Sequence, residues 1–563
     1  MGFPLFAEAL VQIFCSELNL YKQKWRTRKA TELIEGTACS EDEKLEAGHA
    51  AGALNCVASV VGYREDETVW RKCLESYRDN YDGCVQAICM GIDGNQVEDL
   101  DMVQTAEEVF GLELTVIDLD ETFGALASKV AITGCSSPVD SPMLGPTSEK
   151  VSLPGSEMEG VTIMEALVSR ATAILNAHGV LHLSERGPVR PVCITQPHHS
   201  KKEIMFTTFI FSLAMAQAND IDFMWSSDSD SWVYPGTLDT AIRSIYPDER
   251  IGGTATRFSI HNAKDSTIAC LAAATYEADF ALQIGLLSSC DTTDCQPGPC
   301  ALFRRKALEE IVLPWPPLSF PSPLTFPPKL VNDDRHLTTR LLLAHHSVTS
   351  NPSITTATDT PVTIPRYILQ QTRWARASFV EATCYPRIFL LHHPILCLST
   401  FRRFYIPGLN ILIVTRYLAT GTTASFSSLP DILARLLVAS LYSAFALGKG
   451  WSAAPLHAAS MLLFQAPQAA FQVWAALSMF ENQWATGARS KAERSRVRRC
   501  GVANWVGQGG PLVVTAVWLG LVVAALGKCL AGKLGWGDWD GVAALGGFVG
   551  MVVAFVVAVW RGG

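Results

Sequence analysis

Three clusters of polar residues have types and spacings that could do chemistry. Asp228-Ser229-Asp230 sets two carboxylates one residue apart, directly after the apolar run Ile221-Asp222-Phe223-Met224-Trp225. Such a pair at a strand end can share a hard cation with phosphate oxygens, although the same pattern is common in solvated turns. Asp333-Asp334-Arg335-His336-Leu337-Thr338 places adjacent acids before an amphipathic run. Acids are favoured at a helix start by the dipole, and a carboxylate there is also a candidate general base. Gln370-Gln371-Thr372-Arg373-Trp374 offers a guanidinium able to grip a diphosphate in a forked geometry and an indole able to stack on a sugar face. The alternative for that cluster is an ordinary basic and aromatic anchor beside a membrane.

The elements that must position these residues follow from hydropathy patterning. From Val57 to about Trp374, short apolar runs alternate with amphipathic stretches, the pattern of an α/β domain. The run Cys56–Tyr63 is followed by the helical pattern Glu67–Asp79 and then by the apolar run Val85–Asp93. Two such runs end in polar residues, Tyr63-Arg64-Glu65-Asp66 and Asp93-Gly94-Asn95. Open α/β sheets bind ligands at the carboxyl ends of their strands, so these are natural places for a site. Residues 134–158, rich in Ser, Pro and Gly, read as a flexible loop.

The 563 residues are too many for one core, and the hydrophobic share of 48% is unevenly spread. Mean hydropathy is +0.19. Charged residues dominate up to Arg376, and long apolar stretches follow Ile388, which predicts a polar domain and then a membrane domain. Candidate membrane segments lie at about 404–423, 430–449, 455–479, 511–531 and 541–560. Basic residues from Arg489 to Arg499 are expected on the cytosolic side, which requires an even number of preceding spans. The segment 455–479, with Gln465, Pro467, Gln468 and Gln472, is therefore assigned to the membrane interface, leaving four spans. Residues 1–40 form an apolar and basic segment, read as an interfacial helix or the end of a truncated membrane anchor. A net charge of −9 without an organised basic face excludes a nucleic-acid binder. The 16 cysteines show no paired framework; Cys290, Cys295 and Cys300 lack a fourth zinc ligand and read as reduced thiols.

The order of the motifs carries more information than any one of them. Tyr63-Arg64-Glu65-Asp66, Asp93-Gly94-Asn95, Asp228-Ser229-Asp230, Cys295-Gln296-Pro297-Gly298-Pro299, the Asp333-Asp334 segment and the Gln370–Trp374 segment occur in one succession. This succession resembles the processive family 2 glycosyltransferases, with the nearest likeness to hyaluronan synthases and the fungal type 2 or capsule-type polysaccharide synthases. The likeness spans about Val57 to Arg489. It implies a cytosolic α/β domain of GT-A type (nucleotide-diphospho-sugar transferase) over 57–375, followed by an all-α transmembrane domain of interface helices and spans over 376–563.

The resemblance also implies roles. Tyr63, Glu65 and Asp93 would line the uridine pocket, with Asp93 accepting from the base. Lys202 would approach the donor diphosphate, with Lys201 its rival. Asp228 and Asp230 would hold Mg2+ or Mn2+. Cys295, Gly298 and Pro299 would form a loop beside the acceptor, and Asp334, next to Asp333, would be the catalytic base. Gln370, Arg373 and Trp374 would contact diphosphate and acceptor sugar, and Trp484, Thr486 and Arg489 would belong to a loop covering the donor. The implied reaction is inverting transfer from a UDP-sugar to a growing polysaccharide with coupled translocation, at the plasma membrane of a fungal cell and in the making of its wall.

Four departures from the pattern stand out. Asn332 replaces a glycine, Ala485 replaces another in the donor loop, and the N-terminal segment is short. Residues 313–328 hold seven prolines, which neither a helix nor a central strand accommodates. They leave two alternatives, a non-processive transferase to a lipid carrier and a catalytically inactive membrane scaffold.

Overall fold

A computed structural model of the chain describes residues 5–37, 54–80, 83–134, 157–183, 187–315, 333–422, 429–479, 502–535 and 540–562. The fold divides into two compact units that interleave along the sequence. One comprises Arg26–Ala255 and Pro297–Pro327; the other comprises Met1–Trp25, Thr256–Gln296 and Pro328–Gly563. The segment 57–375 thus contributes to both.

The strands are β1 (Cys56–Gly62), β2 (Val85–Asp93), β3 (Thr115–Asp118), β4 (Val192–Gln196), β5 (Phe223–Asp228), β6 (Trp232–Val233), β7 (Ile251–Ile260), β8 (Cys300–Arg304) and β9 (Ser347–Thr358). In the first unit the sheet runs β3-β4-β2-β1-β5-β8-β7. β3, β4, β2, β1 and β5 are mutually parallel, whereas β8 is antiparallel to both β5 and β7. All seven residues of β1 are buried, as expected of a parallel strand covered on both faces. The helix Lys201–Ala218 packs on β1 and β2. It lies so close that a Cβ on Gly91 would fall 2.2 Å from the Thr208 hydroxyl. The helix Glu67–Arg78 buries Trp70, Cys73, Leu74 and Tyr77, a stripe at helical spacing, and Asp66 caps its first turn. Inside, the Trp225 indole donates to the Tyr77 hydroxyl at 2.8 Å.

The other unit is mostly helical. Its part of β7 meets β9 through the hydroxyls of Thr256 and Thr356, 2.8 Å apart, and Arg257 donates to the Thr355 hydroxyl. The helices Ile364–Cys384, Gln468–Leu477, Val502–Lys533 and Asp540–Gly562 share a small apolar core of Ile368, Ala375, Phe471, Ala475, Ala516 and Phe555. Two described helical segments, Gly509–Lys533 and Asp540–Val559, are long and apolar enough to cross a membrane. They approach closely where small residues allow it: a Cβ on Gly527 would meet the Ala543 carbonyl oxygen at 2.8 Å. The candidate segments 404–423 and 430–449 fall mainly within the helices Pro394–Thr420 and Leu429–Ala446, which do not meet that measure. The segment assigned to the interface forms two helices, Ala454–Gln465 and Gln468–Leu477, parted at Pro467. The N-terminal segment is a helix, Leu5–Thr37, whose first backbone N–H groups donate to the Asp431 carboxylate at 2.8 and 2.9 Å. The loop 135–156, residues 316–332 including Asn332, and the donor-loop residues Trp484, Ala485, Thr486 and Arg489 lie outside the described residues.

Candidate active site

The parallel register brings four strand ends to one edge of the first unit. Val61 of β1 pairs with Asp228 of β5, Gly62 with Ile92 of β2, and Asp93 of β2 with Gln196 of β4. Parallel strands share one carboxyl edge, so the polar residues that follow each strand are collected there. Tyr63, Glu65, Asp93, His198, Lys201 and Asp228 all belong to this edge.

Asp93 is only 1% exposed, and its carboxylate is engaged within the protein. Oδ2 lies 2.9 Å from Nδ1 of His198, and Oδ1 accepts from the His199 backbone N–H at 3.1 Å. The hydrogen bond to Asp93 raises the His198 pKa above its ordinary 6.5, outweighing burial and the neighbouring Arg64 charge. The imidazole stacks on the Tyr63 ring, 4.3 Å between centroids and 9° from parallel, while the Arg64 guanidinium lies 5.1 Å from the same ring centre. Arg64 itself adopts a left-handed backbone (φ 47°) and is held by Glu98 and Asp99 at 2.7 and 2.8 Å. Gly94, also at positive φ, leaves room for Asp99: a Cβ there would sit 2.3 Å from its Oδ2.

Asp228 accepts from the Lys201 ammonium at 2.7 Å, and Glu65 accepts from the Ser229 hydroxyl at 3.0 Å. Asp230 accepts from the Ser231 hydroxyl at 2.8 Å. Lys202, the residue expected at the diphosphate, is instead buried, with its ammonium 5.1 Å from the centre of the buried Trp315 ring. Ser200 caps the helix Lys201–Ala218, and that sets the phase in which Lys201 meets Asp228 while Lys202 turns inward. Among the described residues no three acid, histidine or cysteine side chains form a metal-binding group. Asp228 and Asp230 nevertheless fit Mg2+ or Mn2+. A hard ion of this kind is held through one or two carboxylates, its remaining ligands being water and substrate phosphate oxygens.

The second unit carries the other motifs. The helix Asp333–Leu343 opens with Asp333 and Asp334. The Thr338 hydroxyl donates to the Asp334 carbonyl at 2.9 Å and accepts from the Gln296 N–H at 2.7 Å, tying the Cys295-Gln296 end of the loop to this first turn. Burial, reinforced by the Asp334 charge, holds the Cys295 thiol well above its ordinary pKa. Arg335 donates to Asp294 at 2.7 Å; Arg403 donates to the same carboxylate and to the Ser378 hydroxyl, which donates to the Trp374 carbonyl. The Gln370–Trp374 motif lies within the helix Ile364–Cys384. There the Tyr276 hydroxyl donates to Gln370 at 2.8 Å and accepts from Gln371 at 3.2 Å, its ring 5.6 Å from that of Trp374. A continuous network thus joins Asp334, the Cys295 loop, Gln370 and Trp374 within this unit. Arg373 stands partly exposed on the same helix, and Gly298 and Pro299 lead into β8 of the first unit. Cys290, Cys295 and Cys300 are free thiols.

Comparison with known proteins gives this arrangement its ancestry. The chain is 28% identical over 343 residues to hyaluronan synthase 2 of Xenopus laevis, covering 60% of this chain and 52% of that one. It is 28% identical over 340 residues to hyaluronan synthase 2 of Bos taurus, and 24% identical over 472 residues to hyaluronan synthase 1 of Xenopus tropicalis. The last match covers 83% of this chain and 71% of that one. The chain is a relative of the hyaluronan synthases. It spans about half the length of the first hyaluronan synthases it matches. No family model matches it. Among solved structures, the mannosyltransferase PcManGT from Pyrobaculum calidifontis, in complex with GDP-Man and Mn2+, aligns over 85% of this chain and 99% of that one, at 12% identity and a TM-score of 0.39.

Several residues that organise this hyaluronan synthase relative escape sequence reasoning. Tyr276 and Asp294 lie outside every motif, with no spacing signal to mark them. His198 and Lys201 sit in the polar run His198-His199-Ser200-Lys201-Lys202, where only the register and the helix phase decide which side chain faces the site.

Proposed function

We propose that this protein is a membrane-bound inverting glycosyltransferase. It moves a sugar from a UDP-sugar to a growing polysaccharide, processively and with coupled translocation. The observation that carries the reading is the single strand edge on which Tyr63, Glu65, Asp93, Lys201 and Asp228 are gathered. Kinship with hyaluronan synthases and two helices able to cross a membrane support it.

In this reading the donor lies along the first unit's edge, its base near Tyr63, Asp93 and His198 and its diphosphate near Lys201 and Asp228. Mg2+ or Mn2+ held by Asp228 and Asp230 would neutralise the departing diphosphate. Lys201 supplies a further positive charge to the same group and, when the donor is absent, is paired with Asp228. Asp334 takes the proton from the acceptor hydroxyl as that oxygen bonds to the anomeric carbon and the bond to UDP breaks. Asp333 flanks the base. Arg373 grips the diphosphate, while Gln370 and Trp374 contact the acceptor sugar, with the Cys295–Pro299 loop beside it. An indole stacks on a sugar without fixing its rotation, which suits a chain that must advance. Trp484, Thr486 and Arg489 belong to the loop that covers the donor. The donor-binding domain faces the cytosol and the apolar helices anchor it in the plasma membrane.

The deciding experiment incubates membranes containing the full chain with a panel of UDP-sugars and follows UDP release with Mg2+, with Mn2+ and with chelator. Release from one donor that depends on the cation and yields a polymer is expected. A product of one sugar on a lipid would overturn processive synthesis, and absence of release from every donor would overturn the enzyme itself.

A further inference from the structure

We infer that His198, positioned by Asp93, is the residue that meets the donor's nucleobase, and that Asp93 acts only through it. The inference rests on the proposed donor site and reassigns the contact at its base end.

Three observations carry it. First, Asp93 is sealed. Its side chain is 1% exposed, and its two oxygens are engaged by His198 Nδ1 and the His199 N–H, with the Gln196 amide at 3.5 Å from Oδ1. To accept a base N–H directly, it would have to release buried partners, and a buried group left without a partner costs about 1–3 kcal/mol. Second, the Tyr63 ring already carries the imidazole at 4.3 Å, a spacing that admits no third ring between them. A base stacking on this edge therefore finds His198 rather than the Tyr63 face beneath it. Third, His198 Nδ1 lies against two acceptors, Asp93 Oδ2 at 2.9 Å and the Asp93 carbonyl at 3.1 Å, which fixes Nδ1 as a protonated nitrogen. The ring is therefore held in one orientation. Its side chain remains 43% exposed, and Nε2 points away from Asp93.

The chemistry follows from that orientation. A planar ring with an exposed face stacks a nucleobase, and such stacking is worth about 1–3 kcal/mol per base. With the imidazole protonated, Nε2–H donates to a base carbonyl, so a ring bearing carbonyl edges, such as uracil, is the class it accepts. The charged groups around His198 are Asp93, which holds the proton on it, and Arg64, which opposes that charge; Tyr63 and His199 are its titratable neighbours. The hydrogen bond to Asp93 moves the His198 pKa above 6.5, so base affinity should fall as pH rises through a value above 6.5.

Binding of UDP and of inorganic diphosphate, each with Mn2+, to the purified full chain tests this. For His198→Ala, we expect UDP to bind about tenfold more weakly while inorganic diphosphate binds as before. His198→Phe should restore part of the UDP affinity by stacking but abolish its pH dependence. Asp93→Asn should keep most of the affinity and move the inflection to lower pH. UDP affinity unchanged in His198→Ala, or lost in Asp93→Asn and retained in His198→Ala, would show that Asp93 reads the base directly. Parallel loss of UDP and diphosphate in His198→Ala would mean a collapsed site and overturn the inference. The donor reading itself fails only if the wild-type chain binds neither ligand, which keeps the two failures apart.

Discussion

Arg335 donates from Nη1 to Oδ2 of Asp294 at 2.7 Å, one residue after the proposed base. Arg403 donates to the same oxygen from the helix Pro394–Thr420, so one carboxylate holds the first turn of the helix Asp333–Leu343 to a distant helix of the same unit. Burial pushes the Asp294 carboxyl up, but the two guanidinium groups outweigh it and hold it well below the usual carboxylate range. A depressed folded-state pKa contributes stability above the unfolded value of about 3.9, and that stability is lost as pH falls through the folded value. Asp294→Asn should therefore cost about 3 kcal/mol at neutral pH, the low end for breaking a buried pair. Thermal unfolding followed against pH should show the gap from wild type constant above about pH 5 and narrowing only in strong acid. A gap that closes near neutral pH would contradict the assignment.

Asp334→Asn should lower sugar transfer by about two to four orders of magnitude, the range for removal of a general base, and leave UDP affinity within about twofold. Single-turnover transfer and equilibrium UDP binding, measured on the same preparation, separate the two effects. Normal transfer by this variant would move the base elsewhere.

Lys201 and Lys202 offer a sharp contrast. Lys201→Ala removes the ammonium at Asp228 and should weaken UDP binding about tenfold, a loss typical of one charge-assisted contact. Lys202→Ala should leave UDP binding nearly unchanged and lower the melting temperature, because that side chain packs on Trp315. The opposite pattern would restore Lys202 to the diphosphate.

Gly91→Ala tests the packing that supports the strand edge. The new methyl would fall 2.2 Å from the Thr208 hydroxyl and 2.8 Å from Ile204, between β2 and the helix that carries Lys201. Overpacking of this kind costs about 1–3 kcal/mol. Chemical denaturation should show the loss, and UDP affinity should fall with it, since the helix cannot move without shifting Lys201.

Tyr276→Phe removes the hydroxyl that donates to Gln370 and accepts from Gln371 while keeping the ring beside Trp374. Two hydrogen bonds at about 1 kcal/mol each predict transfer slowed by about ten- to thirtyfold, with UDP binding intact. Steady-state transfer alongside UDP titration checks it; a variant that loses UDP binding instead would place Tyr276 at the donor.

By itself the sequence determined the elements and the order of the motifs. The continuous apolar runs at Cys56–Gly62 and Val85–Asp93 are β1 and β2, and the apolar stripe of Glu67–Arg78 is the helix between them. Asp333 and Asp334 do open a helix, and the two last apolar segments form long apolar helices. These features are local: burial period, capping residues and apolar length are written into neighbouring residues.

Only the tertiary structure decided which side chains face one another. Consecutive residues of a helix point about 100° apart, so the choice between Lys201 and Lys202 depended on where Ser200 starts the helix and how that helix sits on β2. The enclosure of Asp93 by His198 required β2 and β4 to be neighbours in a particular register, although 105 residues separate the two side chains. Asp294 and Tyr276 acquire their roles from partners on other helices far along the chain. Their pairing energies depend on distance and burial, and a linear sequence specifies neither until the chain has packed.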